Sequence, residues 1–190
     1  MKRIEIVIGI DPGLKGAVCT MNEKGEVIEI EKMPLRKDKK KERNELDNEA
    51  IYKNLKEKKE KYKIKGIVIE KQQVRQGQGI SSNGKTMMQY GVLLGIVEFI
   101  ECPIYTVSPQ RWQKYIKSIC PLEKEELKEY QNKYNYKDSK LISIHYVEKT
   151  YGKDRRYLYS SSRQKKPLDG FADAIAITKY CLEELIEAVK

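Results

Sequence analysis

The sequence predicts a mixed α/β fold, a five-stranded sheet with helices on both faces. Three observations lead there. Residues 4–10 read Ile-Glu-Ile-Val-Ile-Gly-Ile, a near-continuous β-branched stretch that suits a central strand covered on both sides. Two further apolar runs, 16–21 and 26–32, flank the turn Asn22-Glu23-Lys24-Gly25 and make a hairpin. Beyond residue 45, helical patterns alternate with short apolar strands.

In chain order, strand one spans 3–10, and the two hairpin strands follow. Residues 33–45 carry Arg36-Lys37-Asp38-Lys39-Lys40-Lys41 and read as a highly charged loop. Residues 46–62 fit a helix, with Leu46, Ala50, Ile51 and Leu55 on one side and Lys and Glu on the other. Strand four is 66–70. A Gly/Gln/Ser-rich loop runs from Gln72 to Gly84, and 85–101 fits a helix with Met88, Val92, Leu93, Ile96, Val97 and Ile100 at helical spacing. Strand five is 104–107. Ser108-Pro109 then opens a short helix carrying Trp112, since Ser caps well and Pro suits a first turn. Residues 123–135 are charged and tyrosine-bearing, with no decisive period. Residues 138–150 and 169–189 close the chain as helices. Three antiparallel strands followed by alternating helices and strands meet the ribonuclease H-like order, in which strand one is central and strand four pairs beside it.

The chain of 190 residues suits one domain, 1–190. Lys+Arg of 38 against Asp+Glu of 28 leaves a net charge of +10, which favours a polyanion, nucleic acid before membrane. A Lys-biased composition would give the same excess. Cys19, Cys102, Cys120 and Cys181 are widely spaced and read as free thiols of a reducing, cytoplasmic setting. No apolar run is long enough for a membrane span, and the N-terminus lacks a secretory pattern.

Acids occur where acids are uncommon. Asp11 ends the first strand, Glu70 ends Gly66-Ile67-Val68-Ile69, and Asp173 sits inside Phe171-Ala172-Asp173-Ala174-Ile175-Ala176. If strands one and four are parallel neighbours, Asp11 and Glu70 meet at one carboxyl edge, where open α/β sheets bind ligands. Clustered carboxylates repel unless a cation or proton joins them, so three that converge suggest a metal site. Asp169 lies one helical turn before Asp173 and can face the same way. Each acid also has a plainer role: Asp11 as a turn former, Glu70 as a solvated strand end, Asp169 as a helix cap. The lone His145 reads as structural or exposed, and Trp112 as core.

Five segments carry a family resemblance: Ile8-Gly9-Ile10-Asp11-Pro12-Gly13, Val68-Ile69-Glu70, Gln89-Tyr90-Gly91-Val92-Leu93-Leu94-Gly95, Val107-Ser108-Pro109-Gln110-Arg111-Trp112 and Phe171-Ala172-Asp173-Ala174-Ile175-Ala176-Ile177. Through them the chain resembles the RuvC-type Holliday junction resolvases over nearly its whole length. The resemblance implies a ribonuclease H-like fold, a homodimer and Mg²⁺-dependent cleavage of four-way DNA junctions. It matches Asp11, Glu70 and Asp173 to the catalytic acids. The family pattern places a fourth acid three residues before the last, which here is Gly170, and Asp169 is the substitute. Hard oxygen donors select two Mg²⁺ ions, or Mn²⁺ in their place.

Substrate-facing candidates follow from position and charge. Gln72, Gln73, Arg75, Gln78 and Ser81 lie in the loop after Glu70, whose glycines let backbone approach phosphate. Lys114 and Lys117 follow Trp112. Arg155, Arg156, Arg163, Lys165 and Lys166 precede the last helix with Tyr157 and Tyr159 among them, a basic and aromatic mixture that suits branched DNA. The apolar 85–101 helix, with Gly91 and Gly95, is the better dimer candidate, burial against the sheet being its alternative; the 46–62 helix is too polar. Three rivals stand beside this reading. A sugar-kinase or actin-like ATPase lacks its second phosphate loop here. Another ribonuclease H-like nuclease, acting on RNA–DNA hybrid or on branched or flap DNA, shares the fold. A non-catalytic DNA-binding module would not need the acid set.

Overall fold

The computed structural model describes residues 3–38, 43–74, 76–77, 79–152 and 154–186. Its main sheet has five strands in the order β3-β2-β1-β6-β7. β1 (Glu5–Ile10), β2 (Ala17–Asn22) and β3 (Val27–Lys32) form the antiparallel half. β6 (Lys63–Glu70) pairs parallel to β1, and β7 (Ile104–Val107) parallel to β6. The sheet is therefore mixed, with β1 at its centre. The β2–β3 turn closes through Asn22, whose side chain accepts from Lys24 and Glu26 amides at 3.0 and 2.9 Å, while Gly25 takes φ +80°.

Period-two alternation splits the core into two layers. On one face Ile6, Ile8, Ile10, Ile67 and Ile69 pack against Ile51 and Leu55 of α1 (Asn48–Lys61) and Leu93 and Val97 of α2 (Ile80–Glu98). On the other, Val7, Cys19, Met21 and Val68 meet α3 (Pro109–Ile119), α4 (Lys124–Tyr134), α5 (Asp138–Tyr151) and α6 (Asp169–Tyr180). After α6 the chain widens into a π-helical segment, Cys181–Ile186.

Three sequence expectations change, and one segment without a decisive period takes a form. The charged stretch 33–45 is not a loop: β4 (Leu35–Asp38) and β5 (Arg43–Leu46) pair as a separate antiparallel hairpin, with Leu35 opposite Leu46 and Arg36 bonded to Glu45 at 2.7 Å. Cross-strand charge pairing and one buried anchor, Leu46, stand in for the missing apolar alternation. α2 begins at Ile80 rather than 85: the Ser82 and Asn83 amides both donate to the Gly79 carbonyl at 3.0 Å, and Asn83 is buried. β6 begins at Lys63 rather than 66, since its first residues pair with β1. Residues 124–134 form a helix, opened by a reciprocal Glu123–Glu126 capping box and ended by Asn135 in the left-handed conformation.

All four cysteines are free thiols. His145 is buried between α4 and α5, edge-on to Tyr130, and burial holds its imidazole below its ordinary pKa. Among the described residues, no helix is long and apolar enough to cross a membrane.

Candidate active site

The parallel β1–β6 pairing runs in register from Ile8–Ile67 to Ile10–Ile69. One further step brings Asp11 level with Glu70 at the carboxyl edge of the sheet. Asp11 is held there by its own turn: its amide donates to the Ala17 carbonyl at 3.0 Å, and its Oδ1 accepts from the Gly13 amide at 3.2 Å.

Asp173 arrives from α6, and two glycines set how. A Cβ on Gly9 would lie 2.1 Å from Thr178 Oγ1 and 2.9 Å from the Ala174 carbonyl oxygen. The helix thus rests directly on the central strand, and Asp173, next to Ala174, reaches the end of β1. A Cβ on Gly170 would lie 2.1 Å from the Lys15 carbonyl oxygen. Position 170, where the family pattern expects an acid, has no room for any side chain.

The acids act on one another. Loss of water contact raises the Asp173 carboxyl first, the charge of Asp11 adds to it, and Glu70 contributes further; together they push it up to about 8. Two groups from α5 oppose the rise. Ser143 Oγ donates to Asp173 Oδ1 at 2.5 Å, and the Lys140 ammonium lies within electrostatic reach. Lys140 also forms an ion pair with Asp169. Residues three apart on α5 therefore meet acids four apart on α6. Leu168 occupies the cap position of α6 and Asp169 its first turn, so Asp169 is not the cap.

Glu70 is oriented from two sides. The Trp112 indole N–H donates to Oε1 at 2.9 Å, and Gln72 Nε2 donates to Oε2 at 3.4 Å. Trp112 is buried as expected of a core residue, yet its polar atom is committed to an acid at the sheet edge. Tyr90 of α2 faces the same place, its hydroxyl raised by burial and by the charge of Glu70. Sequence reasoning missed Trp112, Ser143, Lys140 and Tyr90 as partners of the acids. Only Ser143 carried a signal, as a small polar residue inside the buried run Leu141–Val147.

Among the described residues no three His, Cys, Asp or Glu side chains stand close enough to hold one metal ion as they are posed. The fit to a cation lies in donor chemistry and charge. Carboxylate oxygens are hard donors, and a divalent cation would offset both the burial and the neighbouring charge of Asp11 that raise Asp173.

The other candidates divide. Gln72 is half-buried and lines a cleft with Gln89 and Tyr90; Gln73 is exposed. Ser81 sits in the first turn of α2 and not in a loop. Arg75 and Gln78 lie outside the described residues. Lys114 and Lys117 are exposed on α3. Arg155 and Lys165 line a different cleft of about 690 Å³ with Tyr130, Tyr134 and Tyr159; Arg155 stacks 3.9 Å from the Tyr159 ring centre. Arg156 is engaged with Asp154 at 2.6 Å, Arg163 is exposed, and Lys166 lies over Tyr136.

No protein-family model matches the chain, and no curated protein is similar enough in sequence to match it. Solved structures do match. T. thermophilus RuvC in complex with a Holliday junction substrate aligns over 97% of this chain and 95% of its own, at 18% identity and a TM-score of 0.54. The yeast mitochondrial Holliday junction resolvase Ydc2 aligns over 99% of this chain and 84% of its own, at 17% identity and a TM-score of 0.55. At such identity the likeness is one of fold: the chain shares the mixed α/β fold of these two Holliday junction resolvases.

Proposed function

We propose that this protein is a structure-selective endonuclease that resolves four-way DNA junctions by paired, metal-dependent nicks. The observation that carries the reading is that Asp11 and Glu70, at the ends of β1 and β6, both act on Asp173 of α6, whose carboxyl is raised to about 8 first by burial and then by their charge. Structural carboxylates are ordinarily placed apart or paired with bases. A mutually repelling set beside a cleft is the arrangement that phosphoryl chemistry uses. The net charge of +10 and the fold shared with junction resolvases support a DNA substrate.

Asp11, Glu70, Asp169 and Asp173 would hold Mg²⁺, two ions per site or Mn²⁺ in their place, which when bound neutralise the phosphate and activate water. The chain's own residues do the rest. Glu70, clamped by Trp112 and Gln72, keeps one oxygen aimed to accept a hydrogen bond from the attacking water. Ser143 fixes the rotamer of Asp173, and Lys140 keeps Asp169 turned toward the same edge. The water oxygen bonds to phosphorus and gives up a proton toward Glu70, the bond to the 3′ oxygen breaks, that oxygen takes a proton from solvent to leave as a hydroxyl, and no protein nucleophile is needed. A junction must lose two opposed phosphodiesters, which a twofold dimer would supply. The exposed Met88, Val92 and Phe99 beside open Gly91 and Gly95 on α2 support that face as the interface.

The test is incubation with end-labelled four-way junction, linear duplex and RNA–DNA hybrid, with Mg²⁺ or EDTA, and mass by light scattering. Paired, Mg²⁺-dependent cuts in the junction by a dimer are expected. Preference for hybrid, or a monomer making one random nick, overturns the junction reading.

A further inference from the structure

Two clefts flank the acid edge, and their chemistry differs. The first, about 740 Å³, runs between the β1–β2 turn, the start of the β4–β5 hairpin, the α4–α5 connection and the first turn of α6. Lys15, Lys32, Lys137 and Lys140 line it, against one acid, Asp169. Lys140 is taken by Asp169, but among the described residues no ion pair engages Lys15, Lys32 or Lys137, and all three are exposed. Three ammonium groups without an ion pair, lining one cleft that Asp169 also lines, suit a phosphodiester backbone. The second cleft, about 330 Å³, lies on the α2 side. It carries one cation, Lys85, and one acid, Glu45, which is paired with Arg36; the rest of its polar lining is amide and hydroxyl, Gln72, Ser82, Thr86 and Gln89 among it. That lining suits hydrogen bonds to sugars and base edges rather than charge neutralisation.

One ridge divides the two. Leu14 and Asn44 line both clefts. Leu14 stands three residues beyond Asp11, at the crest of the β1–β2 turn, and is 44% exposed. Leu14 belongs to neither hydrophobic core layer. Apolar side chains that enter nucleic acid do so between bases, where stacking has been broken.

We propose that the Leu14 turn parts the two strands that diverge at a branch point. One backbone runs down the lysine channel, and the other strand lies in the amide-lined cleft. This rests on the nuclease reading above and adds to it the path of each strand and the group that separates them.

The test is made in EDTA, so that it does not depend on cleavage. A four-way junction carrying 2-aminopurine beside the branch point reports unstacking by its fluorescence, and binding is titrated from 50 to 200 mM salt, a range chosen because phosphate contacts dominate its effect. Wild type is expected to bind and to raise the fluorescence. Leu14→Ser should bind within about threefold of wild type and leave the fluorescence near that of the free junction. The triple variant Lys15→Gln/Lys32→Gln/Lys137→Gln should bind at least about tenfold more weakly, with the log–log salt slope smaller by roughly 3, close to one per phosphate contact removed. Full unstacking by Leu14→Ser, or an unchanged salt slope in the triple variant, overturns the proposal while leaving the nuclease reading standing. Failure of wild type to bind the junction removes both.

Discussion

Asp173→Asn should stabilise the metal-free protein. The Asp173 carboxyl is raised from 3.8 to about 8 in the folded chain, through lost water contact and the charge of Asp11. An acid whose folded pKa lies above its unfolded value keeps its proton in the fold and surrenders it on unfolding. Its contribution to stability is fully present below about pH 4 and is lost as pH rises through 8. At pH 7 the gap is about three units, each close to 1.4 kcal/mol. Asp173 keeps part of its surface open, so solvent screening reduces the sum to roughly 2–4 kcal/mol. Asn removes the charge and still accepts the Ser143 hydrogen bond, which wild type makes at 2.5 Å. Thermal unfolding in EDTA should therefore show Asp173→Asn melting roughly 5–15 °C above wild type at pH 7, with the difference shrinking toward pH 4. Added Mg²⁺ should raise the wild-type transition more than that of the variant. Equal melting temperatures at pH 7, or the same pH slope in both proteins, would show that Asp173 carries no excess of like charge and remove the main support for the site.

Asp11→Asn and Glu70→Gln should each abolish Mg²⁺-dependent nicking while junction affinity in EDTA stays within about threefold, since binding rests on Lys and Arg contacts to phosphate; near wild-type cleavage by either takes that residue out of the site. Trp112→Phe removes the indole donor 2.9 Å from Glu70, a bond to a charged acceptor, and should slow single-turnover cleavage about tenfold to a hundredfold without weakening junction binding; an unchanged rate makes Trp112 core only. Asp169→Asn should lower cleavage more than Asp169→Ser lowers the melting temperature, because Asp169 faces Lys140 and not the helix cap; normal cleavage by both variants leaves Asp169 outside the chemistry. Val92→Asp on the open face of α2 should shift the light-scattering mass from dimer to monomer, and an unchanged mass moves the interface elsewhere.

Much of the framework was legible because its signals are local. β1 announces itself by consecutive β-branched residues, the β2–β3 hairpin by Asn22 to Gly25, and α3 by Ser108-Pro109. The ends of Asp11 and Glu70 follow from where those runs stop. The errors arose where partners outside the segment decide. Leu35 to Leu46 has almost no apolar residues to alternate, and becomes a hairpin through Arg36–Glu45 pairing and the burial of Leu46. The first turn of α2 is poor in helix formers, yet it is helical, with Asn83 buried and its amide bonded to the Gly79 carbonyl.

What the sequence determined by itself was therefore which acids stand at element ends, and that strand one is covered on both faces. Periods of 2 and 3.6 residues write such facts into any short window. What only the tertiary structure decided was who meets whom at the edge: Trp112 on Glu70, Ser143 on Asp173, Lys140 on Asp169, and a bare Gly170 where a family pattern expects an acid. Those meetings depend on how α6 crosses β1 at Gly9 and how α5 lies along α6. Such crossings are fixed by packing between residues far apart in the chain, 30 positions for Ser143 and Asp173 and well over a hundred for Gly9 and Thr178, distances over which no local period carries information.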